Sequence, residues 1–221
     1  MALILNIDTS INTTYVCIAK DETVLQYYFS DDQKSNASNL HIAIADLLQK
    51  ENLTPKNLDA VAVTIGPGSY TGLRIGLATA KGLCYALNIP LITIGTLEMM
   101  ANFAIQENDK EDCLYCPMID ARRMEVFSAI YDKNLHEVQN PQALIIKLQT
   151  FAEILVEKKV LFFGNGMEKY KNINVYPNAK FLENVNFYKY LNFISLNKFI
   201  SHTFANIGYV EPMYVKEFYN P

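Results

Sequence analysis

Apolar and polar positions alternate along Leu3–Asp8 and break at Asp8-Thr9-Ser10, which predicts a first strand running into a turn. Two more β-branched and aromatic runs, residues 13–19 and 23–29, flank Lys20-Asp21-Glu22 and complete a three-stranded antiparallel meander. Residues 38–50 then carry Leu40, Ile44, Leu47 and Leu48 at helical spacing, with Ser35, Asn36 or Ser38 as N-caps and Leu53-Thr54-Pro55 as the stop. A short buried strand at 59–65 feeds Gly66-Pro67-Gly68-Ser69-Tyr70-Thr71-Gly72 and a helix at 73–87. A strand at 91–94 and a helix at 96–106 follow. That order predicts an α/β mixed sheet with helices on both faces.

The pattern restarts beyond residue 108. Strands are expected at 114–119 and 125–131 around Asp120-Ala121-Arg122-Arg123, a helix at 148–157, a strand at 159–163, a turn at Gly164-Asn165-Gly166 and a last helix at 187–199. The expected organisation is therefore two α/β domains, 1–107 and a smaller 108–221, alike only in element order.

Composition narrows the function classes. The 221 residues are 50% hydrophobic and 19% charged, enough for a core, and the net charge of −4 argues against a stand-alone nucleic-acid binder. The longest uncharged stretch, between Lys81 and Glu98, is broken by Asn88, Pro90 and Gly95, short of the ~18 apolar residues of a membrane span. No basic residue precedes Lys20, so no signal peptide is read, and with four irregularly spaced cysteines the expected compartment is the cytoplasm. Cys113-Leu114-Tyr115-Cys116 has CxxC spacing. It lacks a second ligand pair for zinc and leads into Pro117 and a strand rather than a helix, so it reads as two thiols at a strand entrance.

The glycine loop is the most informative segment. Glycines let backbone amides converge, and the helix start adds positive dipole, which suits an anion. No Lys follows Gly72, so it is not a Walker A loop, and a tight packing device is the other reading. Asp8, Thr9, Ser10, Gly66, Gly68, Ser69 and Thr71 are the candidate nucleotide or anion ligands. Gly72, Gly76, Ala80 and Cys84 recur every fourth residue as a stripe of small side chains. Each helical glycine costs roughly 1 kcal/mol against Ala, so a close neighbour is expected. That neighbour is either the Leu40/Ile44/Leu47 helix or another chain.

Gly66-Pro-Gly-Ser-Tyr-Thr-Gly-Leu-Arg-Ile-Gly76 closely resembles the signature loop of the bacterial TsaB (YeaZ) family. Ile7-Asp8-Thr9-Ser10, Asp120-Ala-Arg-Arg-Met-Glu-Val-Phe127 and Glu211-Pro-Met-Tyr-Val-Lys216 extend the resemblance, which is weak over 132–205. It implies an actin-like, RNase H-like (ASKHA) fold of two related domains with mixed sheets, the second reduced. It also implies a non-catalytic, scaffolding role in tRNA threonylcarbamoyladenosine (t6A) synthesis. The implied partners are the catalytic paralogue TsaD, as a heterodimer, and the ATPase TsaE, with tRNA bound through the complex. ATP and a divalent metal belong to the assembly rather than to this chain, and no membrane is involved. In the family the helices flanking the loop bundle with the partner. This makes Leu40, Ile44, Leu47, Gly72, Gly76, Ala80 and Leu83 the expected interface, one that Ala80→Glu should break without unfolding. A homodimer through the same helices is the alternative in isolation.

TsaD-like proteins hold a metal through His-x3-His, and by register those positions here are Thr96 and Met100, a poor donor pair. His41, His136 and His202 form no i,i+4 pair. The rival functions are an ASKHA-type ATPase or kinase using Asp8 and the loop, and a metallopeptidase. Asp120, Arg122 and Glu125 form a candidate polar network, facing a ligand or only each other. Ser69 and Thr71 lack a His partner for a triad. The aromatic segment 187–219 reads as core plus docking surface rather than a base-stacking platform. Lys216 stands where the family tail has Arg, which weakens any bidentate contact there.

Overall fold

Strand β1 (Leu3–Asp8) is the axis on which the first half of the chain is built. A computed structural model describes residues 1–11, 13–31, 36–108, 112–183 and 185–216, the side chains of 36–38 excepted. β1 pairs antiparallel with β2 (Thr14–Lys20) and parallel with β4 (Ala60–Gly66). β3 (Thr23–Ser30) and β5 (Leu91–Gly95) complete the order β3-β2-β1-β4-β5. The β2–β3 turn is closed by Asp21 at φ 51°, whose carboxylate also accepts the Ala2 amide at 2.8 Å. The expected capping side chains of the first helix, Ser35, Asn36 and Ser38, lie outside the described side chains.

Each face of this sheet has its own cover. Helix α1 (Asn36–Lys50) buries Leu40, Ala43, Ile44, Leu47 and Leu48, spaced three, one, three and one apart as a core stripe requires. With α2 (Tyr70–Leu87) it closes over Leu3, Leu5, Ile7, Val16, Ile18, Val61 and Val63. The opposite face, which carries Asn6 and Asp8, is met by α6 (Leu191–Ile200), packed on β1 and β5.

The second sheet repeats the plan. β6 (Leu114–Asp120), β7 (Glu125–Tyr131), β8 (Glu137–Ile145), β9 (Val160–Phe163) and β10 (Ala179–Leu182) run in the order β10-β9-β6-β7-β8. Read from β8, this is the first sheet's order with the same senses: antiparallel, antiparallel, parallel, parallel. Both sheets thus have five strands, and the reduction lies in helices α4 (Ala152–Glu157) and α5 (Glu168–Lys171). Their core gathers Phe151, Phe162, Tyr170 and Phe181.

The expected elements of the first half recur within a few residues, whereas the second half needs corrections. The Lys147 amide donates to Thr150 Oγ1 at 2.8 Å, a local bond that competes with helix and delays α4 to Ala152. β8 is an exposed edge strand containing Pro141, tolerated only because an edge leaves amides unpaired, and its polarity hides it from a hydrophobic pattern. The single boundary expected at 107/108 is replaced by two discontinuous units, Met1–Thr96 with Tyr188–Met213, and Leu97–Phe187 with Tyr214–Pro221. Helix α3 (Thr96–Glu107) enters the second unit and α6 returns to the first. Because Leu47 is 2% exposed at the centre of the first core, Leu47→Ala should cost about 3 kcal/mol in urea unfolding.

Candidate functional site

Asp8 ends β1 at the point where the parallel neighbour β4 brings Thr64 alongside. Its carboxyl is fully buried. Oδ1 accepts the Ser10 amide at 3.2 Å, the Ser10 hydroxyl at 2.5 Å and the Thr64 hydroxyl. Among the described residues no group lies within hydrogen-bonding geometry of Oδ2, and an interaction with the Tyr188 side chain also favours the ionised carboxyl. Burial pushes the carboxyl up from its ordinary value against the opposing hydrogen bonds of Ser10 and Thr64. Tyr188 reaches the same region from the far end of the chain. Its ring stacks on Tyr15 at 4.3 Å, its hydroxyl shares a 2.6 Å bond with Thr13, and burial together with the Asp8 charge raises its phenol.

The glycine loop lies directly on this turn. A Cβ on Gly68 would stand 2.0 Å from the Ser10 carbonyl oxygen, one on Gly72 2.0 Å from that of Thr9, and one on Gly76 2.3 Å from Thr9 Oγ1. The Ser69 amide donates to the Ser10 oxygen at 2.6 Å, the Thr9 hydroxyl donates to the Gly72 oxygen at 2.7 Å, and Ser69 Oγ caps Gly72 N at 3.3 Å. Gly66, at φ 117°, is closed by the Met213 carbonyl, and the Met213 amide donates to Ile65 oxygen at 2.7 Å. The tail motif and the loop motif are therefore one structure. Of the expected anion ligands, Asp8, Thr9, Ser10 and Gly66 face inward, while Ser69 and Thr71 are exposed. The space the glycines leave is filled by the protein's own carbonyls, which does not fit a phosphate, and the packing reading is the one this geometry supports.

The expected interface needs correction. Leu40, Ile44, Leu47, Gly76 and Ala80 are buried, and Leu83 packs against the same core. The small stripe through Gly72 and Gly76 meets Thr9, so its close neighbour is a turn of this chain. Ala80→Glu would bury a charge at a residue with no exposure, and unfolding, not clean loss of pairing, is the expected result. The sequence reading passed over a second stripe on the opposite side of α2, where Ala78, Gly82 and Ala86 are exposed beside Tyr85. Its signal was the same four-residue spacing.

In the second unit Asp120 pairs with Lys169 at 2.8 Å and Glu125 with Lys216 at 2.5 Å. Burial pushes the Asp120 carboxyl up, but the Lys169 hydrogen bond, the Arg122 amide and the Lys169 charge outweigh it and hold the group below its ordinary value. The cations of the network are thus the two lysines, and Arg122 contributes only its backbone amide, at 2.6 Å from Asp120. Thr96 and Met100, at the metal positions of the resembling enzymes, are both fully buried on one face of α3, a hydroxyl and a thioether unsuited to a hard cation. Among the described residues no group of three or more His, Cys, Asp or Glu could hold a metal ion, and no helix is long and apolar enough to cross a membrane. Cys113 and Cys116 are buried, and burial pushes the Cys116 thiol up to about 12. Of the aromatic segment, Phe187 stacks edge-on with Phe103, whereas Tyr209 is exposed; Phe218 and Tyr219 lie outside the described residues.

Two outcomes follow from this geometry. A carboxyl raised in the folded state adds stability below its ordinary pKa of 3.8, and that stability is lost as pH rises through the folded value. Asp8→Asn, which keeps an acceptor oxygen without the charge, should flatten the fall in unfolding free energy above pH 3.8 in denaturant titrations. Gly76→Ala should destabilise the chain by about 1–3 kcal/mol through its contact with Thr9 in the same assay.

Comparison with known proteins identifies the family. Residues 30–201 match the family described as TsaD: tRNA N6-adenosine threonylcarbamoyltransferase. The tRNA threonylcarbamoyladenosine biosynthesis protein TsaB of Bacillus subtilis is 35% identical over 176 residues, 77% of this chain and 74% of that protein. TsaB of Buchnera aphidicola from Schizaphis graminum is 30% identical over 193 residues, 80% and 90% of the respective chains. YeaZ from Pseudomonas aeruginosa superposes over 97% of this chain and 100% of its own with a TM-score of 0.77 at 21% identity, which shows the shared fold. The sequence motifs, the paired β3-β2-β1-β4-β5 sheets and these relatives agree, and the chain belongs to the TsaB (YeaZ) family of tRNA threonylcarbamoyladenosine biosynthesis proteins.

Proposed function

We propose that the chain is a non-catalytic scaffold subunit of the t6A-synthesis machinery, working in the cytoplasm beside TsaE and docking a TsaD-family catalytic subunit through the solvent faces of α1 and α2. The observation that carries this is Gly82. It sits in the interior of an 18-residue helix, is exposed, and has nothing within 4 Å of where a Cβ would lie. A glycine there costs roughly 1 kcal/mol relative to Ala, and no contact among the described residues offsets it. Close approach of a partner helix does. Ala78, Ala86 and Tyr85 are exposed on the same helix, Tyr85 at 83%, and α1 exposes Ile42 at 59%. The solvent side of α2 thus combines small residues with a large apolar side chain.

The loop supports a structural role for the Asp8 region. The Ser69 amide bonds the Ser10 oxygen, the Cβ positions of Gly68 and Gly72 are taken by the Ser10 and Thr9 oxygens, and the Thr96/Met100 pair does not suit a metal. Catalysis, ATP turnover and the metal then belong to the partners, and tRNA is engaged by the assembly.

Light scattering on the chain mixed with its TsaD partner should give a one-to-one species. Gly82→Arg should abolish that species without destabilising the unpaired chain, because Arg at an exposed helix position is a better helix former than Gly. Gly82→Ala should raise the unpaired chain's stability by about 1 kcal/mol. A wild-type complex that survives Gly82→Arg would overturn the docking face, and a homodimer lost with the same substitution would assign that face to a second copy.

A further inference from the structure

The connection between β6 and β7 holds two arginines, Arg122 and Arg123, whose guanidiniums make no hydrogen bond or ion pair among the described residues. Arg122 and Arg123 both adopt left-handed backbone, φ 70° and 49°, a conformation that favours Gly and Asn. Both are exposed. The acidic residues on either side are already neutralised: Lys169 bridges Asp120 and the Glu125 carbonyl at 2.8 and 2.9 Å, and Lys216 binds the Glu125 carboxylate. Asn165 fixes the strand end by accepting the Asp120 amide at 2.9 Å. The turn is therefore held rigidly from below while it presents two uncompensated positive charges on a chain of net charge −4.

We propose that this turn is a phosphate-contact site through which the chain itself touches the backbone of an RNA. Guanidinium forks match phosphate oxygens bidentately, and adjacent residues of a tight turn can reach neighbouring phosphates. Local charge of this kind adds affinity and orientation without base readout, as expected for a subunit that positions a substrate read elsewhere. The choice of RNA among polyanions rests on the proposed place of the chain in tRNA modification. The surrounding lysines are not the contact, because their ammonium groups are consumed by Asp120 and Glu125.

The test uses the full chain, alone and mixed with its TsaD partner, titrated into a fluorescein-labelled tRNA transcript at several salt concentrations. Arg122→Asn/Arg123→Asn tolerates the left-handed backbone, so its unfolding midpoint should not fall. Its RNA binding should weaken, and the slope of log K against log salt should become shallower by about 1.4, roughly 0.7 for each lost contact. Arg122→Lys/Arg123→Lys should recover most of the slope and only part of the affinity. Unchanged affinity and slope in both the chain and the mixture would overturn the proposal. So would loss of pairing in place of RNA binding, which would assign the turn to an acidic protein surface, or arginine-dependent binding of ATP with RNA unaffected. Pairing is read separately by light scattering. A complex that forms normally with an unchanged salt slope removes only this inference, and a missing complex with an arginine-dependent slope removes only the docking reading.

Discussion

The approach of α2 to the Thr9-Ser10 turn is the constraint on which the first unit depends. Backbone meets backbone there at distances that no side chain could enter, because Gly68, Gly72 and Gly76 leave their Cβ positions to the Ser10 and Thr9 oxygens. Burying those carbonyls is tolerable only because the Ser69 amide satisfies Ser10 and the turn is braced from within by Asp8. The buried carboxyl is expensive in isolation, and three donors on one oxygen reduce that cost without cancelling it, which is why its pKa still rises. The same contact sets the direction of α2 and, through α2, the face that α1 can cover. The tail segment at Met213 then closes the loop from the other side.

Repetition of the strand order in the second unit makes the difference between the halves informative. Both sheets have the same five-strand plan, yet where the first turn after the central strand is Asp8-Thr9-Ser10, knotted inward, the second is Ala121-Arg122-Arg123-Met124, open to solvent. Each central strand ends in an aspartate, Asp8 or Asp120. The first is buried and driven toward its neutral form, and the second is exposed and held ionised by Lys169. Equivalent places in a duplicated plan have thus become a packing knot in one case and a charged surface in the other. Neither arrangement resembles paired acid and base groups aimed at one reacting atom, for which environments would have to push two neighbouring groups apart.

Much of the first unit was legible because its signals are local. Alternation in β1, helical spacing in α1 and a glycine turn between β4 and α2 each span fewer residues than a loop needs to scramble them, and the structure places them within a few residues. The second unit was less legible for a physical reason as well. β8 is a solvent-exposed edge with Pro141, β10 is four residues long, and α4 competes with a Thr150 turn, so none of them carries a strong periodic pattern. The discontinuous division of the chain was invisible, since nothing local tells α6 to return to β1. Tyr188 and Thr64 were missed at the Asp8 site because they join it across 180 and 56 positions of sequence.

The helix α2 shows why spacing alone does not identify what a small-residue stripe packs against. A four-residue repeat of small side chains says that something comes close, but a helix has two such sides here, Gly72-Gly76-Ala80 and Ala78-Gly82-Ala86. Glycine cost is equal on both, so sequence cannot tell which neighbour offsets it. Accessibility does: on the first side Thr9 fills the space, and on the second no atom of the described residues does. A destabilising residue retained where its own fold gains nothing from it points to an interaction outside that fold. The logic extends to Arg122 and Arg123, which hold a backbone conformation better suited to Gly or Asn while their guanidiniums make no hydrogen bond or ion pair among the described residues. The two features differ in chemistry, apolar and small against cationic and long, so a surface that fits one does not fit the other.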